Sequence, residues 1–191
     1  MSKKVKILFV DDRVTRFKTM EDCRKTGLLK ADVVDCTLPM IDTELDNWND
    51  DDVKQSITKT VQEKMSEHDS HDCVWLVMLD FQLYRRLTDY YHRNELARKA
   101  VLDAIWQNEN VYLVLYTSAE PELCSDFFED VCYEMAEPGA NTKFKLFHSI
   151  LVIYFDGTPT NYMYMLKTEV NRAIDSIMEG NLNDEKWIHT W

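Results

Sequence analysis

The chain is poor in hinge residues. Its 191 residues include only four glycines and four prolines, which predicts long elements and few loops. It has no apolar stretch near the roughly 20 residues needed to cross a bilayer. Its start, Met1-Ser2-Lys3-Lys4, leads into a short strand-like run and not into the apolar core of a signal peptide. No membrane insertion and a cytoplasmic location are therefore expected. The five cysteines, Cys23, Cys36, Cys73, Cys124 and Cys132, are scattered, odd in number and without a CxxC pair. That spacing supports neither a zinc site nor a disulfide framework, so buried thiols are expected. Basic charge is also scarce. A net charge of −12 argues against a direct nucleic-acid surface, which depends on clustered Lys and Arg. Acidic patches facing a basic protein partner remain compatible with it. No GxGxxG, GxxxxGK[ST] or GxSxG motif occurs, and the five histidines show no HExxH spacing.

What is present is alternation. Val5–Val10 reads as a strand, and Val14 to Leu28 as a helix with Gly27 near its end. Ala31–Thr37 is a second strand. Asp50–Met65 is a helix with Val53, Ile57, Val61 and Met65 every four residues. Cys73–Leu79 is a third strand, followed by a helix over Asn94–Gln107. Val111–Tyr116 is a fourth strand. A fourth helix opens near Pro121 and continues through Leu123, Phe127, Val131 and Met135. Ser149–Phe155 is a fifth strand and Tyr162–Met178 the last helix. Strand followed by helix, five times over, predicts an α/β fold with a parallel sheet covered on both faces. Right-handed crossovers make that sheet doubly wound. The continuous apolar runs of strands three, four and five suggest central, fully buried positions. One domain over residues 1–180 is expected, with an aromatic tail over 181–191.

Acidic residues stand where the apolar strands run out. Asp11 and Asp12 follow Val5-Lys6-Ile7-Leu8-Phe9-Val10, and Asp80 follows Cys73-Val74-Trp75-Leu76-Val77-Met78-Leu79. The fourth strand runs into Thr117-Ser118. Open parallel sheets bind ligands outside the carboxyl ends of their strands, so these polar groups would meet at one edge. Three converging carboxylates repel one another unless a cation lies between them. An all-oxygen donor set of this kind suits Mg²⁺. The bland alternative is that each Asp caps the turn or helix after it.

The segments Ile7-Leu8-Phe9-Val10-Asp11-Asp12, Leu76-Val77-Met78-Leu79-Asp80 and Val114-Leu115-Tyr116-Thr117-Ser118-Ala119 together resemble the receiver domain of two-component response regulators. The resemblance runs from about Val5 to Met178. It implies a flavodoxin-like fold with five strands in the order 2-1-3-4-5. It also implies that Asp80 is the phosphoacceptor and that Asp11, Asp12, Asp80 and the backbone carbonyl of Gln82 hold Mg²⁺. Thr117 would bind a phosphoryl oxygen, and Phe155 would be the switch aromatic. The implied partners are a histidine kinase or phosphotransfer protein upstream and a protein downstream. The implied activity is signal relay and not enzymatic turnover, at most self-phosphorylation from a phosphodonor. No output domain is present, so the chain resembles a stand-alone receiver.

Two departures qualify this. The family's strand-five lysine is missing, since the sequence reads Tyr154-Phe155-Asp156-Gly157-Thr158-Pro159 and Thr158 takes that position. Lys143 and Lys145 are the candidate substitutes. The connections are also extended, between strands two and three (Leu38 to Asp72) and between the fourth helix and the fifth strand (Glu137–Ser149). The tail adds Trp187, Ile188 and Trp191. An unphosphorylated pseudo-receiver that serves as an interaction module is the competing expectation. A haloacid-dehalogenase-like phosphatase is a remote third, because it needs Asp-x-Asp where this chain has Asp11-Asp12-Arg13.

Overall fold

A computed structural model describes residues 4–39, 49–68, 73–84, 90–105, 108, 110–117, 150–154 and 166–180. Up to the fourth strand the elements alternate as the apolar runs predict. They are β1 (Lys4–Asp11), α1 (Val14–Lys25), β2 (Asp32–Thr37), α2 (Asp50–Glu67), β3 (Cys73–Asp80), α3 (Tyr90–Ile105), β4 (Val111–Thr117) and β5 (Ile150–Tyr154). A π-helical turn over Leu166–Val170 then leads into α4 (Asn171–Glu179). The fold is α/β, with a parallel sheet and helices, and is compatible with a flavodoxin-like architecture. The described strands pair in the order β2-β1-β3-β4-β5. Among the described residues β5 pairs only with β4, so the expectation of a central fifth strand gives way to an edge position. An apolar run does not by itself distinguish a central strand from a shielded edge.

Alternation along the strands sorts their side chains into two cores. Ile7 and Phe9 of β1 and Leu76 and Met78 of β3 face Met20 and Cys23 of α1 and Ala173, Ile174 and Ile177 of α4. Leu8 and Val10, with Val77 and Leu79, face Val53, Ile57, Val61 and Met65 of α2 and Ala97, Ala100 and Val101 of α3. The four-residue spacing in α2 therefore does what it predicted, placing one face wholly in the core. The cysteines among the described residues, Cys23, Cys36 and Cys73, are buried free thiols. Burial pushes the Cys36 thiol up to about 12, which makes it inert.

Three helix boundaries differ from expectation, each for a local reason. The first helix ends at Lys25 and not at Leu28. Gly27, at φ +75°, turns the chain left-handed. Its N–H donates to the Arg24 carbonyl at 3.0 Å, and the Leu28 N–H to Cys23 at 2.9 Å. This is the Schellman arrangement, and it folds Leu28 back onto the core. Helix α3 begins four residues before Asn94. Its first turn is solvated, with Tyr91 78% exposed, and so carries no apolar periodicity. The last helix has a π turn where regular helix was expected. Two expectations, the fourth helix after Pro121 and the tail over 181–191, lie outside the described residues. No described helix is long and apolar enough to cross a membrane.

Candidate functional site

Sheet register decides what meets at the carboxyl edge. Asp11 ends β1 two residues beyond Phe9, and Asp80 ends β3 two beyond Met78. Both therefore share the strand face covered by α1. Asp12 follows in the β1–α1 turn. Asp11, Asp12 and Asp80 each offer a carboxylate oxygen, all within 4.8 Å of one another. Asp11 and Asp80 are 1% and 2% exposed, so their charges cannot be relieved by water. This buried acidic triad can hold a metal ion.

The two buried aspartates divide their oxygens. Asp11 accepts from the Arg13 N–H through Oδ1 at 2.8 Å. Asp80 accepts from the Gln82 N–H through Oδ1 at 3.0 Å. In this respect each does cap the turn after its strand. The other oxygens face inward. Asp11 Oδ2 accepts from the Tyr116 hydroxyl at 2.6 Å and from Arg16 Nη1 at 3.2 Å. Asp80 Oδ2 accepts from the same Arg16 Nη1. Asp12 Oδ2 accepts from the Tyr84 N–H at 3.2 Å, while its Oδ1 is buried without a hydrogen-bond partner.

Burial drives the electrostatics. It pushes the Asp11 carboxyl up to about 7, assisted by the Asp80 charge and opposed by Arg16 and the Tyr116 hydroxyl. Burial likewise raises Asp80, with Arg16 and the Gln82 N–H pulling it back. Burial works against the Arg16 charge, yet the Asp80 and Asp11 carboxylates more than offset it and hold the guanidinium above its ordinary range. Burial and a neighbouring like charge raise acid pKa values in this way, and the one shared cation offsets only part of the rise.

The loop after β3 is held from α3. Asn94 accepts from the Leu83 N–H at 3.0 Å through its buried side chain. Arg98 donates to the Phe81 carbonyl at 3.0 Å, and its guanidinium lies 4.2 Å from the Phe81 ring centroid. Tyr84 has φ +56°, a left-handed conformation unusual for a bulky residue. Its hydroxyl donates to the Pro39 carbonyl at 2.8 Å. This second anchor keeps the strained backbone in place and the Tyr84 N–H on Asp12.

The structure thus brings together Asp11, Asp12 and Asp80, as their strand-end positions predict. Gln82 meets Asp80 through its amide N–H. Thr117 ends β4, its backbone paired with Tyr154 and one residue beyond the Asp80–Tyr116 pairing. Ser118, Lys143, Lys145, Phe155, Thr158, Trp187, Ile188 and Trp191 lie outside the described residues. Arg16 and Tyr116 were not anticipated. Both had signals. Helical side chains tilt back toward their N-terminus, so a basic residue in the first turn of α1 is aimed at the strand ends. Tyr116 is a buried residue near the end of β4, next to Asp80 in register. Its ring stacks on Phe9 at 5.4 Å, which aligns the hydroxyl with Asp11.

The donor chemistry fits a hard divalent cation, which prefers oxygen ligands and keeps several waters. The unpartnered Asp12 Oδ1 is the oxygen readiest to receive it. Comparison with known proteins finds no matching family model, no matching curated protein and no matching solved structure.

Proposed function

We propose that the chain is a receiver-like signalling protein of flavodoxin-like fold that accepts a phosphoryl group on Asp80. The observation that carries this is the convergence of Asp11, Asp12 and Asp80 at the carboxyl edge of a parallel sheet. A divalent cation, Mg²⁺ by its preference for oxygen, would be held by these three carboxylates with the Gln82 carbonyl. When bound it would neutralise charge on the incoming phosphoryl group. Asp80 supplies the nucleophile. One carboxylate oxygen attacks phosphorus and forms an acyl phosphate, and the bond from phosphorus to the donor breaks. The donor leaves with the electron pair. The Gln82 N–H on Asp80 Oδ1 holds the carboxylate orientation during attack. Burial excludes the bulk water that would otherwise hydrate the nucleophile. Thr117, at the end of the neighbouring strand, would take a phosphoryl oxygen. The upstream donor would be a histidine kinase or phosphotransfer protein. The downstream partner would read the altered surface in the cytoplasm.

A second reading is an unphosphorylated interaction module. It is favoured by Arg16, whose guanidinium already occupies the inward oxygens of Asp11 and Asp80. Intact mass after acetyl phosphate treatment with Mg²⁺ separates the readings. The phosphorylated form is expected in wild type and absent from Asp80→Asn, with circular dichroism of the two proteins superimposable. A label that survives in Asp80→Asn and maps to Asp11 would indicate phosphatase-like chemistry instead. A wild type that never gains mass would leave the interaction module.

A further inference from the structure

Arg16 is the feature of this site that the receiver resemblance does not account for. We propose that it is a resident cation of the carboxylate cluster, which a divalent ion must displace in order to enter. The inference rests on the reading of Asp11, Asp12 and Asp80 as a metal site. One nitrogen, Nη1, serves two carboxylates. It lies 3.2 Å from Asp11 Oδ2 and is hydrogen-bonded to Asp80 Oδ2. A hard divalent cation binds carboxylate oxygens at roughly 2 Å. An ion taking either of those oxygens would lie against the guanidinium, with like charges in contact inside a buried site. The two occupants therefore exclude each other.

The remaining oxygens reinforce the point. Asp11 Oδ1, Asp80 Oδ1 and Asp12 Oδ2 each accept from a backbone N–H. Asp12 Oδ1 alone has no donor. One oxygen of the cluster is thus left without a donor, and Arg16 competes with an ion for the inward pair until it swings away. The Arg16 side chain is 23% exposed, against 3% for Asp80. Arg16 is therefore the less enclosed of the two partners. Arg16 is also carried by α1, while the oxygens belong to the sheet, so the exchange is a side-chain motion and needs no change in strand pairing. The device is a competitive latch. Cation affinity is set by a protein side chain, and loading frees a guanidinium at the rim of the phosphoacceptor edge.

The test is calorimetric titration of chelator-treated protein with MnCl₂ and MgCl₂. Arg16→Gln is expected to bind Mn²⁺ about ten- to a hundredfold more tightly than wild type, the change that matches loss of one charge-assisted contact. Arg16→Lys, with a shorter reach and one point charge, is expected to fall between them. Asp80→Asn should abolish the tight binding of Arg16→Gln when the two changes are combined. Equal or weaker binding by a folded Arg16→Gln, with wild-type binding intact, overturns the latch and leaves the metal site standing. No binding by any of the proteins, read by Mn²⁺ water-proton relaxation as well as by heat, overturns both. If Arg16→Gln does not fold, the Arg16 Nε–H resonance of wild-type protein decides the matter. It should shift and lose exchange protection as Mg²⁺ saturates the protein. An unmoved resonance at saturation refutes the displacement.

Discussion

The two edges of the sheet handle polar groups in opposite ways. At the amino edge the buried side-chain polar atoms of the described residues are matched. Asn171 accepts from the Lys30 N–H through Oδ1 at 3.0 Å, and donates through Nδ2 to the Leu28 carbonyl at 2.7 Å and the Lys167 carbonyl at 3.0 Å. Lys30 also pairs with Asp175, and Asp32 pairs with both Lys4 and Arg24. Those pairings, the hydrogen bonds from Lys4 and Arg24 foremost, hold the Asp32 carboxyl below its usual range. At the carboxyl edge two of the three clustered carboxylates share one guanidinium and carry raised pKa values, and one buried oxygen of the third has no donor. One edge is built for stability. The other tolerates conflict, and local conflict in an otherwise consistent fold marks the place where stability gives way to function.

Breaking the matched edge should produce the largest loss. Asn171→Ala leaves the Lys30 N–H and the Leu28 carbonyl without their partner. A decrease of about 2–3 kcal/mol in unfolding free energy is expected by urea titration, at the cost typical of stranded buried groups. A change within experimental error would mean that water replaces the amide and that the amino edge is not the stable one.

The pH dependence should sharpen the contrast. Asp11 has a folded-state pKa of about 7 against an ordinary 3.8. Between those values the folded protein keeps a proton that the unfolded chain has released. Stability from this group is therefore highest at the acidic end and falls as pH rises toward the folded value. Metal-free wild type should lose on the order of 2 kcal/mol between about pH 5 and about pH 7.5. Asp11→Asn should reduce the slope to what the raised Asp80 carboxyl contributes in the same sense. Asp32 and Asp50 have lowered pKa values, and they act in the opposite sense but only at pH values below this window. A wild-type curve that rises with pH over the same range would contradict the assignment.

The smallest effect should come from relieving the conflict. Asp12→Asn removes one of three like charges and keeps an oxygen for the Tyr84 N–H. It is expected to stabilise the metal-free protein by about 1 kcal/mol, or about 2–4 °C in Tm for a chain of this size. A lower Tm in scanning calorimetry would show that the Asp12 charge is already compensated.

The strand ends were readable because buried parallel strands are continuous apolar runs, and an acidic residue ends such a run sharply. The pairing of Asp11 with Asp80 followed from that alone. Arg16 was not readable in the same way. Helix α1 has no strong apolar stripe, and a basic residue there looks like one more solvated position. Its place in the first turn of α1 was a signal, but its role depends also on the depth of Asp80, which does not appear in local pattern. The early stop of α1 was written in Gly27, but Leu28 continued the apolar spacing and hid it. Asn171 gave no signal, because a lone Asn in a helix looks solvent-facing until its partners are known.

The division of oxygens in Asp11 and Asp80 has a consequence for how such a site ages. Each residue supports the chain with one oxygen and the cluster with the other. A lineage that lost the chemistry would still need the first oxygen to close the turn after each strand. Asparagine supplies that oxygen as well as aspartate does, so the acceptor at each strand end would outlast the activity while its charge need not, and Arg16 is tied to the charge alone.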